Sequence, residues 1–111
     1  MGADAAEDLD LALRALADAN RRAILTAIRT APSSVGSIAE RVGLSQQTTS
    51  HHLGVLRTAG LVAGTREGTR HLFAVNTDGL AAVRSYLDDF WPTKLSALKQ
   101  AVESGRRGDH G

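Results

Sequence analysis

Between Ile38 and Leu56, two helical patterns are separated by only three residues, Gly43-Leu44-Ser45. In the first, spanning about 36–42, Ile38, Ala39 and Val42 recur on one helix face. Gly43 can take the left-handed backbone angles that end a helix. Ser45 can cap the next helix by accepting a hydrogen bond from a free first-turn amide. In the second pattern, spanning about 45–59, Thr49, His52, Leu53 and Leu56 share an inward face. Gln46, Gln47, Ser50, His51 and Gly54 fall on the opposite, solvent-side face, and Gly60 closes the element. So short a connection makes the two helices one angled unit, the helix-turn-helix pattern, and the rest of the chain must cover its apolar side.

The flanking segments can supply that cover. Residues 1–7 are expected to be a flexible lead-in. From Asp8 on, Leu9, Leu13, Leu16 and Ala17 follow the period of an amphipathic helix. Asp18 can cap a second helix running to about Thr30, with Ile24, Leu25 and Ile28 inward. Arg21 and Arg22 fall in its first turn, the unfavourable end of a helix dipole for cations; a solvated pair and a phosphate contact both remain open. Pro32 breaks the chain after Ala31, and Val35 is expected to add one short strand. Beyond Gly60, Leu61–Arg66 and Arg70–Val75 flank Glu67-Gly68-Thr69, the pattern of a hairpin.

Asn76 or Thr77 can cap a last helical region, where Leu80, Val83, Leu87, Phe90 and Trp91 recur, then Leu95, Leu98 and Val102. Pro92 must kink or restart it, because proline has no amide to donate and crowds the preceding turn. A chain end this apolar needs cover, and the nearest cover is the same helix of a second copy together with the first helix. The expected dimer seam is therefore Leu9, Leu13, Leu16, Leu87, Phe90, Trp91, Leu95 and Leu98. The expected domain is 8–104, mainly α with a small β-hairpin, followed by a disordered tail over 105–111.

Composition narrows the function classes. The chain has 111 residues and no cysteine, which excludes a disulfide framework and thiolate metal ligands and fits a cytoplasmic protein. The start is acidic where a secretory signal would be basic, and no apolar run approaches the about 18 residues of a membrane span. The formal charge of +1 is not that of a protein that coats nucleic acid indiscriminately. Its distribution says more: residues 37–75 carry Arg41, Arg57, Arg66 and Arg70 against Glu40 and Glu67. No Gly-rich phosphate loop or nucleophile elbow is present, so an enzyme is not expected, and nothing calls for a cofactor.

The solvent-side face of the 45–59 helix suits a reader of DNA. A major groove admits one helix; Gln can pair with adenine, and Ser, Thr and His can bond several bases. Gln46, Gln47, Ser50 and His51 project from the first turn and a half, the part that reaches bases in this motif. Ser45, Thr48, Arg57, Arg66 and Arg70 are the candidate backbone contacts, which fix register without reading sequence.

Several runs, taken together, carry a resemblance. They are Ala15-Leu16-Ala17-Asp18 to Arg21-Arg22-Ala23-Ile24-Leu25, Ser34-Val35-Gly36-Ser37-Ile38-Ala39-Glu40, Gly43-Leu44-Ser45-Gln46 to Ser50-His51-His52-Leu53, Ala59-Gly60-Leu61-Val62 and Arg66-Glu67-Gly68-Thr69-Arg70-His71. The chain resembles the ArsR (arsenic-repressor) family of bacterial winged-helix regulators over about 9–75. The resemblance implies a winged helix-turn-helix fold, a homodimer built on the first and last helices, and a palindromic double-stranded DNA operator, usually repressed until an inducer relieves it. There are departures. Ala19 and Asn20 stand where the family often has Pro and Thr, Thr49 replaces a usual aliphatic residue, and Gly54 stands where a Lys is common.

Many members of that family bind metal through cysteines, or through Asp and His on the last helix. This chain has Asp88 and Asp89 there but no histidine between Thr77 and Ser104, and carboxylates alone select soft transition metals poorly. Neighbouring helix positions diverge by about 100°, which also separates His51 from His52. No metal site is expected, and a metal-responsive repressor is the disfavoured alternative. Phe90-Trp91 is better read as seam packing than as a ligand pocket. A small-molecule inducer stays open, as does a module that has lost DNA binding and only associates with protein.

Overall fold

The computed structural model describes the backbone of residues 2–92 and 101–103, with side-chain environments from residue 6 onward. Over residues 2–88, five helices and a small sheet follow one another as α1 (Gly2–Leu16), α2 (Ala19–Ile28), β1 (Ser33–Ser34), α3 (Val35–Val42), α4 (Gln46–Thr58), β2 (Val62–Glu67), β3 (Arg70–Val75) and α5 (Thr77–Asp88). Among the described residues no helix is long and apolar enough to cross a membrane.

Local chemistry sets most boundaries. Asp18 caps α2 by accepting from the Asn20 and Arg21 amides, Ser34 caps α3 through the Ser37 amide, and Ser45 caps α4 through the Thr48 amide. Each places an oxygen on an otherwise orphaned first-turn donor. Gly43 ends α3 at φ 73°, and Gly68 turns the β2–β3 hairpin at φ 63°, angles that cost a side-chain-bearing residue steric energy.

Four sequence expectations change. Helix α1 begins at Gly2 rather than Asp8; Ala3, Ala5 and Ala6 are strong helix formers, and Asp4 and Glu7 sit at the dipole end that favours anions. Helix α2 stops at Ile28, short of Thr30. The short strand is Ser33–Ser34, and Val35 instead opens α3; once the Ser34 hydroxyl caps the helix, the strand must end there. Helix α5 stops at Asp88, so Pro92 lies beyond its end, and residues 101–103 are helical again. Leu95, Leu98 and the tail over 105–111 lie outside the described residues.

The sheet is antiparallel with order β1-β3-β2. Ser33 pairs with Phe73, and the hairpin runs from Val62–Val75 to Glu67–Arg70 at its tip. The core lies where α1, α2, α3 and α4 meet the base of the hairpin. Ile24, Ile28, Ile38, Leu53, Leu56 and Leu61 are its largest fully buried side chains, each stabilising the fold by about 1.5–3 kcal/mol through removal from water.

Helix α5 is locked onto the corner between α4 and β2. The Asn76 amide donates to the Leu61 carbonyl at 2.8 Å, and Asn76 Nδ2 donates to the Gly60 carbonyl at 3.0 Å. Gly79 rides so close that a Cβ built on it would lie 1.8 Å from the Gly60 oxygen. The stripe Leu80, Val83, Leu87 begins against the core: Val83 is buried and Leu80 half-buried, while Leu87 is exposed.

Candidate nucleic-acid interface

Helix α4 is held by its inward face. Thr49, His52, Leu53 and Leu56 are buried, as their spacing predicts. The Thr49 hydroxyl, fully buried, donates to the Ser45 carbonyl at 2.8 Å, so a polar residue at an apolar position leaves no unsatisfied group behind. Opposite it, Gln46, Gln47, Ser50, His51 and Gly54 are all exposed. At about 100° per residue these five positions share an arc of about 140°. Gln46 rests its amide over Gly36 of α3, where a Cβ would come within 3.4 Å of Gln46 Nε2. The bare Gly36 gives that side chain its room.

At the start of α4, Ser45 Oγ accepts from the Thr48 amide at 3.0 Å and donates to Thr48 Oγ1 at 2.9 Å. Arg57 is exposed in the last turn of α4, seven residues after Ser50 and on the same arc.

The hairpin carries its two arginines differently from what the sequence alone conveys. Arg66 faces His71 across the ladder and Glu67 faces Arg70. Because strand side chains alternate, Arg66 and Arg70 emerge on opposite faces of the tip. Arg70 shares its face with the Glu67 carboxylate, and Arg66 shares its face with the His71 ring. That ring stacks on Phe73 with centroids 4.5 Å apart and lies over Gly64.

Arg21 and Arg22 both reach back to the end of α1, Arg21 half-buried and Arg22 exposed. Arg21 Nε donates to the Ala15 carbonyl at 2.8 Å, its terminal amino groups reach the Arg14 carbonyl at 3.1 Å and His52 Nδ1 at 3.4 Å, and Arg22 donates to the Leu16 carbonyl at 2.7 Å. Cations placed badly for the dipole of α2 are placed well for α1, whose last carbonyls they take. Arginine can only donate, so this 3.4 Å approach is a hydrogen bond in the tautomer whose Nδ1 accepts. One side chain thus ties the end of α1 to the buried face of α4. The Arg21 amide, with burial opposing and the Asn20 amide assisting, holds the Asp18 carboxyl below its ordinary value. Arg41 does for α2 what Arg21 does for α1, donating to the Ala27 carbonyl and Ser33 Oγ.

The expected seam residues divide. Leu9 and Leu16 are half-buried against the chain's own core. Leu13, Leu87, Phe90 and Trp91 are exposed at 39%, 43%, 68% and 63%. Phe90 meets Tyr86 edge-on, with ring centroids 5.2 Å apart. Tyr86, which the sequence reading did not single out, is 43% exposed and stands four residues before Phe90. Among the described residues no three His, Asp or Glu side chains converge as a metal site would require.

Comparison with known proteins agrees with this geometry. A family model described as a helix-turn-helix domain matches residues 16–65. The HTH-type transcriptional regulator Rv2034 of Mycobacterium tuberculosis is 41% identical over 95 residues, 86% of this chain and 89% of that one. Among solved structures, an ArsR-like transcriptional regulator from Rhodococcus sp. RHA1 superposes with a TM-score of 0.69 at 30% identity, covering 86% of this chain and 92% of that one. The homodimeric winged helix-turn-helix DNA-binding domain Mb0332 of Mycobacterium bovis, described as a possible ArsR-family regulator, gives 0.66 at 27% identity over 79% and 82%.

Proposed function

This chain belongs to the ArsR family of winged helix-turn-helix transcriptional regulators, and from that premise we propose that it is a homodimeric repressor of a palindromic operator. The observation that carries the reading is the split of α4 into a fully packed face and a bare polar one. Nothing in the fold requires Gln47, Ser50 and His51 to lie open together, whereas a groove reader does. Gln46, Gln47, Ser50 and His51 contact base edges. Thr48, Ser45, Arg57 and the two wing arginines contact phosphates, with Arg66 the stronger of the pair because Glu67 opposes Arg70.

The second copy docks on the far end of the α5 stripe. An aromatic side chain buries about 150–250 Å². With 68% and 63% of that exposed, covering Phe90 and Trp91 yields roughly 3 kcal/mol each at about 25 cal/mol per Å². Leu13 and Leu87 extend the seam, to which Leu95 and Leu98 also belong. The homodimeric M. bovis domain supports this assembly. The protein works in the cytoplasm, where its operator is, and blocks transcription by occupying it until a small-molecule inducer releases it.

Selection of bound DNA from a random pool, followed by gel shift, tests the reading. It expects two inverted repeats centred about one helical turn apart and a shift that weakens steeply with salt. A protein that shifts neither selected DNA nor the DNA upstream of its own gene would be an association module instead.

A further inference from the structure

Between α1 and the solvent side of α4 lies a groove of about 580 Å³, within the size range of small-molecule sites. Leu11, Ala15, Val55 and Ala59 give it an apolar floor. Arg14, Arg21, Ser50, His51 and Thr58 supply its polar lining. Leu11, 39% exposed, and Leu13 flank the buried strip of α1 on opposite sides, because two helix positions differ by about 200°. The groove is therefore separate from the seam that Leu13 belongs to.

Two features mark it as more than a surface dip. Gly54 sits in mid-helix at its wall, and a Cβ there would meet nothing within 4 Å. Neither backbone conformation nor internal packing calls for this glycine, and a longer side chain there would project into the open space beside the groove. The Arg14 guanidinium has no hydrogen-bond partner among the described residues, and Arg21 spends three of its donors on Ala15, Arg14 and His52 with the Asp18 carboxylate 3.9 Å from it. Among the described residues Arg14 thus keeps all of its guanidinium donors, where Arg21 keeps two of five, beside an apolar lining, which is the environment of a flat organic anion.

We propose that this groove binds a small amphipathic carboxylate, of the size of a bicyclic aromatic acid, with its carboxylate on Arg14 and its ring over Leu11 and Val55 in the space left by Gly54. Ser50 and His51 belong to both the groove and the base-reading face, so an occupant competes with DNA directly; that consequence rests on the DNA-reading assignment above. No movement relayed through the fold is needed.

The probe is 2-naphthoate, with 2-naphthol as its uncharged counterpart, titrated calorimetrically into the DNA-free full chain. The proposal expects one saturable site per chain, at least about tenfold weaker binding of 2-naphthol, and a similar loss in Arg14→Gln. Gly54→Leu fills the space and should abolish binding while retaining the wild-type circular dichroism spectrum. Arg14→Gln should shift the selected operator as well as wild type does, but no longer respond to 2-naphthoate. Absence of saturable binding, binding indifferent to both substitutions, or an operator complex unmoved by saturating 2-naphthoate would each overturn it. If no operator is found at all, the DNA reading fails by itself, and the titration of the DNA-free chain still decides the groove.

Discussion

Replacing Arg21 with Met keeps the aliphatic stem and removes the donors. Three acceptors then lose the Arg21 donor, the Ala15 and Arg14 carbonyls and His52 Nδ1, although the Arg14 carbonyl keeps the Ala17 amide at 3.3 Å. A hydrogen bond from a charged donor is worth about 1.5–3 kcal/mol net when sheltered. The Arg21 side chain is 16% exposed, so the Ala15 bond keeps most of that value, whereas water can replace the donor at the exposed Arg14 carbonyl. His52 is buried and its Nδ1 would be left unpaired, a loss of about 1–3 kcal/mol if no water reaches it. The sum is about 3 kcal/mol. For a domain of this size, about 4–8 °C of Tm per kcal/mol makes that a fall of more than 10 °C. Urea unfolding followed by circular dichroism measures it, at one fixed protein concentration because dimerisation is linked to stability. Arg22→Met, which removes a single bond at an exposed carbonyl, should lose under about 1 kcal/mol. Equal effects of the two substitutions, or an Arg21→Met within about 0.5 kcal/mol of wild type, would refute the role of Arg21 as the tie between α1 and α4.

Gly79→Ala should destabilise by about 1–3 kcal/mol, the range for overpacking, because the new methyl meets the Gly60 backbone, which cannot swing away; an unchanged urea midpoint would mean α5 sits less tightly than described. Arg66→Ala should lower the slope of log affinity for the operator against log salt by about 0.9, the value of one phosphate contact, and Arg70→Ala by less; filter binding across a salt series reads both. The Asp18 carboxyl is held below its ordinary value in the folded chain, so its contribution is present above the unfolded value and is lost as pH falls through the folded one. Asp18→Ala should therefore be less stable near neutrality yet lose less stability on acidification, and thermal melts from pH 7 down to about pH 3 would show the two curves converging.

The helix-turn-helix is legible in the sequence because its signals are local: a three-residue connection, two caps and a period that sorts polar from apolar positions. The hairpin is legible for the same reason. What the sequence conceals depends on contacts between distant elements. Arg21 reads as a misplaced cation until α1 is seen to end beside it. Arg66 and Arg70 read as a pair until the ladder register sends them to opposite faces. Ser34 takes the cap that frees Val35 to start α3, a competition between a strand and a helix that residue preferences leave undecided. An amphipathic stripe does not say how much of it the chain's own core consumes, and Leu9 and Leu16 turn out half-buried against that core. Tyr86 reads as a polar aromatic, although its spacing puts it on the same stripe as Phe90.

The most direct test is of the bare face of α4. Gln46 and Ser50 lie on its exposed arc and take no part in the core, so replacing both with Ala should leave the melting profile and the sedimentation coefficient of the dimer unchanged. Affinity for random DNA, carried by phosphate contacts, should persist. Preference for the selected operator over random DNA should collapse, by roughly 1–3 kcal/mol for each side chain that no longer pairs with a base edge. A double variant that still prefers the operator as strongly as wild type would contradict the assignment of this face as the reader of sequence.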